Sequence, residues 1–433
     1  MEEALRVLLT GANGLIGSAV LASLRSRRYE VVAVVRSSRA AARLPADVPY
    51  IALDIAKARE PAVWLPHLAG IDAFVNCAGV LQDGPRDSTK GVHVEGAAAL
   101  FAACEQAGVR RVVQVSAIGV DRATPTAFSR TKLRGEKALM RLDLDWVILR
   151  PSVVVGRAAY GGSALFRGLA SLPVLPSVAG AGLLQIVQLD DVVRTVMFFL
   201  EPRAPARLTI EIAGPERLTL DAVLGHYRRW LGRRAAPAVR VPHWLAATVF
   251  GAGDLAGLLG WRPPLRTTLL REIAYGGIGE PAEWTRLTGI APVSLQAALE
   301  AEPASVQERW FAALYLLKPV ALAVLVFYWI ATGLIALGPG SEAARALLAE
   351  AGIGAPGPLA TAAAIADILV GSAIAVRATA RTGLWAALML SIGYPASATF
   401  LLPRLWADPL GPLLKIAPIA MLIAFALATL DDR

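Results

Sequence analysis

The stretch RVLLTGANGLIG at residues 6–17 constrains this chain more than any other. A short apolar run leads into Gly11, Gly14 and Gly17, and an apolar helical pattern opens among those glycines. This G-x-x-G-x-x-G spacing fits a strand, a tight turn and a helix. The first glycine takes the turn, the second lets backbone approach a ligand, and the third lets the helix pack close on the strand. Amides at the start of such a helix lack intrahelical partners and favour an anion. In this strand–turn–helix setting the motif is a specific signal for a dinucleotide pyrophosphate.

The same rhythm continues through EVVAVV, YIALD, IDAFVN, RRVVQVS and DWVILR, with helical stretches between most of these runs. Short Val/Ile/Leu-rich runs alternating with helices predict βαβ units and a parallel sheet covered on both faces. Residues 156–305 are less regular. Helices near 163–172, in DDVVRTVMFFL and in TLDAVLGHYRRWLG, with strands in LLQIVQL and RLTIEIA, predict a smaller lobe with sheet-edge additions over the carboxyl edge.

Composition matters after Trp310. The chain is 55% hydrophobic and only 18% charged, below the usual quarter or so charged, and much of the excess lies behind that residue. Apolar stretches at about 311–337, 359–376, 383–402 and 410–430 are each long enough, at roughly twenty residues, to cross a hydrocarbon core. The fold class is therefore read as α/β: a Rossmann-like doubly wound parallel sheet with a small substrate lobe, followed by an all-α transmembrane four-helix bundle. The domains are expected at 1–155 for dinucleotide binding, 156–305 for the lobe and 308–433 for the membrane part.

The net charge is +9, of which residues 311–433 supply +1, from seven Lys/Arg against six Asp/Glu. The basic front half suits an anionic cofactor or an anionic membrane face. No basic run is interleaved with aromatics, which argues against nucleic acid. Cys77 and Cys104 have no metal-ligand spacing and suit a reducing compartment, so no metal is expected. The opening MEEALRVLLTGANGLIG is unlike a secretory signal. The loop VRATARTG carries Arg377 and Arg381, whereas the first and third loops offset their arginines with acids. This asymmetry predicts an inner-membrane, multi-pass protein with its front domain and both termini in the cytoplasm. Segment 243–260, HWLAATVFGAGDLAGLLG, reads either as an interfacial helical hairpin or as a buried core element.

The second strand ends in Arg36, Ser37, Ser38 and Arg39, with no acid to take ribose hydroxyls. A guanidinium and hydroxyls suit a 2′-phosphate, which favours NADP(H), with NAD(H) as the other candidate. Asp54, after the third strand, is placed to meet the adenine. Asn76, Ala78 and Gly79 close the fourth strand and are expected along the cofactor ribose.

TGANGLIG, NCAG, VSAIG, SRTKLRGE and LRPSVVVG together resemble the short-chain dehydrogenase/reductase family in its atypical and extended branches, over residues 5–300. SAIG, RTKLRGE, ILRPSVVVG, VQLDDVV and IAGPERLTL bring the resemblance nearest to the branch containing the NADPH-binding accessory subunit of respiratory complex I. It implies a cofactor site of Thr10, Gly11, Asn13, Gly14, Leu15, Ile16 and Gly17, then Arg36, Ser37, Arg39, Asp54 and Ile55. Asn76, Ala78, Gly79 and Lys132 follow, with Pro151 and Ser152 beside the nicotinamide. It also implies that Ser116 polarises a substrate oxygen and that Lys132 holds the nicotinamide ribose. The family's tyrosine position holds Phe128, which has no proton to give. His93, where asparagine is common, and Tyr160 in GRAAYGG are the candidate substitutes.

From about Glu308 the chain resembles DoxX-like membrane domains, through RWFAALYLLKP, the Ala366–Asp367 pair and LWADPLGPLLKIAPI. Some such domains are associated with quinone chemistry, which implies a lipophilic or quinone-like substrate. Lys318, Asp367 and Lys415 are ionisable groups at membrane depth, where they are costly and need partners. They read as an internal ion-pair network, or as two snorkelling lysines around one buried acid. Two functions follow. One is a membrane-anchored NAD(P)H-dependent reductase or isomerase for a lipophilic small molecule. The other is a non-catalytic NADPH-binding module within a membrane complex.

Overall fold

The computed structural model describes residues 5–122 and 126–431. Seven strands form one parallel sheet. These are β1 (Arg6–Thr10), β2 (Glu30–Val35), β3 (Tyr50–Ala52), β4 (Ala73–Asn76), β5 (Arg111–Val115), β6 (Asp145–Pro151) and β7 (Leu208–Ile212). Their order is β7-β6-β5-β4-β1-β2-β3, so the chain winds outward in both directions from β1. The crevice at that reversal, beyond the carboxyl ends of the strands, is where such sheets bind ligands.

Two-residue periodicity makes the sheet two-faced. Val7 and Leu9 of β1, Val75 of β4 and Val113 of β5 point to one side. They meet Val20 and Leu24 of α1 (Leu15–Ser26) and Val192, Val196 and Phe199 of a later helix, Leu189–Leu200. Leu8, Phe74, Val112 and Ile148 point to the other side. They meet Leu100, Phe101 and Cys104 of α2 (Ala97–Ala107) and Leu139 of α3 (Ala127–Leu139). Burying each of the larger side chains contributes about 1.5–3 kcal/mol, which is why the strands read as continuous apolar runs.

The chain divides into two compact units, Met1–Asp254 with Pro263–Ala312 and Leu255–Arg262 with Ala313–Arg433. The region read as a lobe thus shares one body with the sheet. Its helix Leu189–Leu200 covers a sheet face, and β7 extends the sheet edge. Segment 243–260 is a single helix, His243–Leu258, rather than a hairpin. Gly260, at φ 86°, ends it. Trp261 then donates from Nε1 to the Ala375 carbonyl at 2.7 Å, which ties Leu255–Arg262 to the second unit.

Among the described residues, three helices are long and apolar enough to cross a membrane: Val306–Leu337, Pro356–Ala375 and Ala380–Leu401. Phe327, Leu369, Met389 and Phe400 stand exposed on them. We label α4 (Leu317–Leu337), α5 (Pro356–Ala375) and α6 (Ala380–Leu401). A Cβ on Gly333 of α4 would lie 2.4 Å from the Ala364 carbonyl of α5, so a small residue sets this close helix approach. The fourth expected span, 410–430, is helical only over α7 (Ile416–Thr429), 14 residues. At about 1.5 Å per residue the regular helix is shorter than a core of about 30 Å, but Asp431 pairs with Arg377 and Arg381, so the chain after α6 returns to the end where α6 began. Pro409, Gly411 (φ 58°) and Pro412 hold the preceding residues out of the helix.

Candidate functional site

Every residue expected at the cofactor site lies at or just beyond the carboxyl edge of the sheet. Gly11 takes φ 69°, and a Cβ there would lie 2.7 Å from the Cys77 carbonyl carbon. A Cβ on Gly17 would lie 2.1 Å from the Gly11 carbonyl oxygen. Both glycines are therefore required by backbone contact, and the turn between them leaves the first amides of α1, beginning at Leu15 and Ile16, at its open end. Asn13 donates from Nδ2 to the Ala40 carbonyl at 3.0 Å, fastening the glycine turn to the segment after β2.

Side chains lock the strand tips together. Thr10 Oγ1 donates to Asn76 Oδ1 at 2.5 Å, and Asn76 Nδ2 donates to Gln114 Oε1 at 2.7 Å. Asn76 Oδ1 also accepts from the Ala78 amide at 3.1 Å. After β2, Arg36 is exposed and faces Asp87 (2.9 Å) and Asp54 (3.9 Å). Ser37 caps the short helix Ser38–Ala41, and Arg39 is exposed. Asp54 accepts from the Ala56 amide at 3.2 Å, and the next residue, Ile55, carries its carbonyl against Gly96.

The chemistry-bearing groups gather beside β4 and β5. A widened helical turn, Gly91–Gly96, holds His93; such π-turns are frequent at functional sites. Helix α3 presses on this turn because Gly135 has no Cβ, which would otherwise lie 2.2 Å from the His93 carbonyl oxygen. Around the tip of β4, a Cβ on Gly79 would be 3.5 Å from Lys132 Nζ and 3.7 Å from His93 Nε2. Lys132 donates from Nζ to the Val115 carbonyl at 2.9 Å. Burial pushes its pKa down to about 8, opposed by the charge of Glu136 and by Cys77. Burial also raises the Cys77 thiol to about 12, with Lys132 pulling the other way. Ser116 follows β5 directly. Its hydroxyl is buried and, among the described residues, has no hydrogen-bond partner.

His93 is neutral and spoken for. Nε2 accepts from the Val80 amide at 3.0 Å, and Nδ1 faces Thr131 Oγ1 at 2.9 Å. Thr131 gives its own proton to the Ala127 and Phe128 carbonyls, so Nδ1 carries the imidazole hydrogen. Burial and Lys132 drive the His93 pKa down to about 2. The ring has neither a free nitrogen nor a second proton to shuttle; it meets Phe128 edge-on, ring centres 5.7 Å apart. Tyr160 is the N-cap of helix Gly161–Ala170. Pro151 ends β6, and Ser152 gives its hydroxyl proton to the Gln185 carbonyl.

Sequence reading missed three supports. Gln114 completes the strand-tip chain. Glu136, one turn after Lys132, is fully buried and grips Arg150 through two bonds, at 3.0 and 2.6 Å. Arg150 also pairs with Asp121. The i, i+4 spacing of Lys132 and Glu136 was the available signal; the link to β6 depends on how the helix packs.

In the second unit Asp367 is 5% exposed and accepts from the Tyr394 hydroxyl at 3.1 Å. Lys318 donates to the Thr429 carbonyl, and Lys415 is the exposed N-cap of α7. The buried acid is thus paired with a tyrosine of α6. Asp367 lies eight residues before the end of α5 at Ala375, a depth of about 12 Å at 1.5 Å per residue. Lys318 sits instead with the C-terminal end of α7.

The site fits a dinucleotide on its own geometry: a glycine cradle that any Cβ would fill, a helix opening on it and an orphaned buried hydroxyl at the far end. A family described as NAD(P)H-binding matches residues 11–167. A 3-diazoavenalumate denitrifying reductase from Streptomyces sp is 30% identical over 300 residues, covering 60% of this chain and 96% of the relative. The chain belongs to the NAD(P)H-binding family. A DoxX-like family matches residues 326–424 of this NAD(P)H-binding protein. A ceramide reductase from Caulobacter vibrioides is 24% identical over 323 residues, covering 67% of the chain and 98% of the relative. The chain spans 28% of the length of the mycobacterial relatives it matches, at 27% identity over 268 residues. The Bordetella bronchiseptica enzyme WbmG, solved in complex with NAD, superposes with a TM-score of 0.54 at 15% identity, over 70% of this chain and 93% of that one. At that identity the likeness is one of fold.

Proposed function

We propose that the protein is a membrane-anchored NADPH-dependent reductase or isomerase for a lipophilic, quinone-like acceptor. The observation that carries this reading is the unpartnered, buried Ser116 hydroxyl next to the carbonyl that holds Lys132, in a chain whose later part is made of membrane-spanning helices. NADPH, when bound, supplies a hydride. Lys132 holds the nicotinamide ribose, and Glu136 and Arg150 fix the helix that presents it. Ser116 orients the acceptor oxygen. Phe128 and the satisfied His93 give no proton, which favours an acceptor protonated by water. The two reductase relatives, one of them a ceramide reductase, support reduction and a lipid-like substrate. The test is NADPH oxidation by the full chain against short-chain quinones and lipid carbonyls. Quinone reduction is expected from the native protein. Phe128→Tyr should raise carbonyl reduction about a hundredfold by restoring the acid. No oxidation by either protein over any acceptor would overturn the reading.

The preference for NADPH is supported by Arg36 at the end of β2. Arg36→Ala should weaken NADPH at least tenfold, since a charge-assisted bond contributes about 1.5–3 kcal/mol. NADH affinity should change less than about threefold, because NADH lacks the phosphate that the guanidinium would grip. Equilibrium titration with each nucleotide checks this. A cytoplasmic front domain and C-terminus are supported by Arg377 and Arg381, both paired with Asp431, which gather basic charge at one end of the bundle.

Phe128 and the neutral His93 also favour a second reading, an NADPH-binding module that stabilises a membrane complex, as the resemblance to the complex I accessory subunit implies. NADPH that stays bound and reduced through purification, with a partner retained in mild detergent, would favour it.

A further inference from the structure

We propose that helix His243–Leu258 lies in the plane of the bilayer interface as a lipid-binding anchor. Its packed side is narrow. Phe250 and Gly253 are buried, and Asp254 pairs with Arg266 at 3.1 Å. A Cβ on Gly253 would lie 1.8 Å from the Leu265 carbonyl oxygen, so this side is closed by the chain that follows. The remainder is apolar and open: Trp244 is 69% exposed, Leu255 60% and Leu258 71%, with Leu245 and Val249 also exposed. Thr248 hides its hydroxyl proton on the Trp244 carbonyl at 2.9 Å. An open apolar surface along a whole helix is costly in water and marks an interaction site.

Three observations choose lipid as the occupant. The C-terminal end of this helix belongs to the membrane-spanning unit. There the Leu259 carbonyl accepts from the Arg377 amide at 3.0 Å, and the Arg377 guanidinium lies 5.4 Å from the Trp261 ring centre. The helix therefore ends at the terminus of span α5, at the level where a bilayer surface must be. Just before its other end Arg240 stands exposed, a basic group suited to anionic headgroups. Trp244 occupies the position that interfacial tryptophans favour, between apolar and wet surroundings.

The test uses the full chain in lipid nanodiscs containing phosphatidylglycerol, with Cys77 and Cys104 replaced by alanine. A fluorescent label is placed in turn at Val249→Cys, Leu255→Cys and, as a control on the exposed side of helix Ala282–Thr288, Glu283→Cys. A quencher carried on the upper acyl chain should remove about half or more of the signal at 249 and 255, since interfacial helices sit about 5–10 Å into the headgroup boundary. The label at 283 should keep nearly all of its signal. Unquenched labels at 249 and 255 overturn the proposal. So does disulfide-linked dimerisation of Leu255→Cys without quenching, which would make a second copy the occupant. The readout needs neither substrate nor turnover, so failure of the proposed function leaves it intact.

Discussion

Gly17→Ala should abolish NADP(H) binding while leaving the protein in the membrane. The added methyl would sit 2.1 Å from the Gly11 carbonyl oxygen and 3.2 Å from the Ala12 Cα, contacts with backbone that no rotamer relieves. Either α1 moves off β1 or the glycine turn opens, and both displace the amides at the start of α1. We expect at least a hundredfold loss of NADPH affinity by equilibrium titration, equivalent to about 2.7 kcal/mol or more. Gly225→Ala, in helix Leu220–Trp230, is the control. Its Cβ would meet only the far end of the Arg229 side chain, at 4.0 Å, so NADPH affinity should be unchanged. Equal losses for the two variants would mean that helix–strand approach is not what builds the site.

The second large effect is on stability. Arg150→Met should destabilise the first unit by about 3–5 kcal/mol, because it leaves a buried carboxylate without its bidentate partner. Glu136 is 0% exposed, and Arg150 satisfies both of its oxygens. Chemical denaturation of the detergent-solubilised protein measures the loss. The double variant Arg150→Met/Glu136→Leu should recover most of it, since replacing both members of a buried pair by apolar groups is often close to neutral. A double variant no more stable than the single one would show that the pair acts through its geometry rather than its charge. NADPH affinity of the stable double variant then reports whether Glu136 positions Lys132.

Much of the first unit was legible because its signals are local. Strands β1 to β6 were each marked by a short apolar run, and the glycine turn by three residues spaced three apart. What covers the sheet was less legible. Leu189–Leu200 and β7 follow Val155 in sequence yet complete the sheet's own layers, since a sheet recruits whatever apolar face can cover it. In residues 410–430 the apolar segment was legible and the start of its helix was not. Their apolar composition reads as a span, but backbone restrictions at Pro409, Gly411 and Pro412 shorten the helix to 14 residues.

At the candidate site, sequence named Ser116, Lys132, Phe128 and His93, and the structure brings Lys132 and His93 together around Gly79, with Phe128 against the His93 ring. It could not tell whether His93 had a proton to spare. That depends on Thr131 and the Val80 amide, which fill both ring nitrogens from different elements. Nor could it pair Asp367 with Tyr394, 27 residues away on another helix. The sequence alone determined that a glycine turn on a parallel sheet precedes a membrane-spanning region, and that no tyrosine stands at position 128, because these are properties of residue type and spacing. Only the tertiary structure decided that, among the described residues, the buried Ser116 hydroxyl has no partner while both ring nitrogens of His93 are taken, because hydrogen-bond satisfaction belongs to groups that folding brings together.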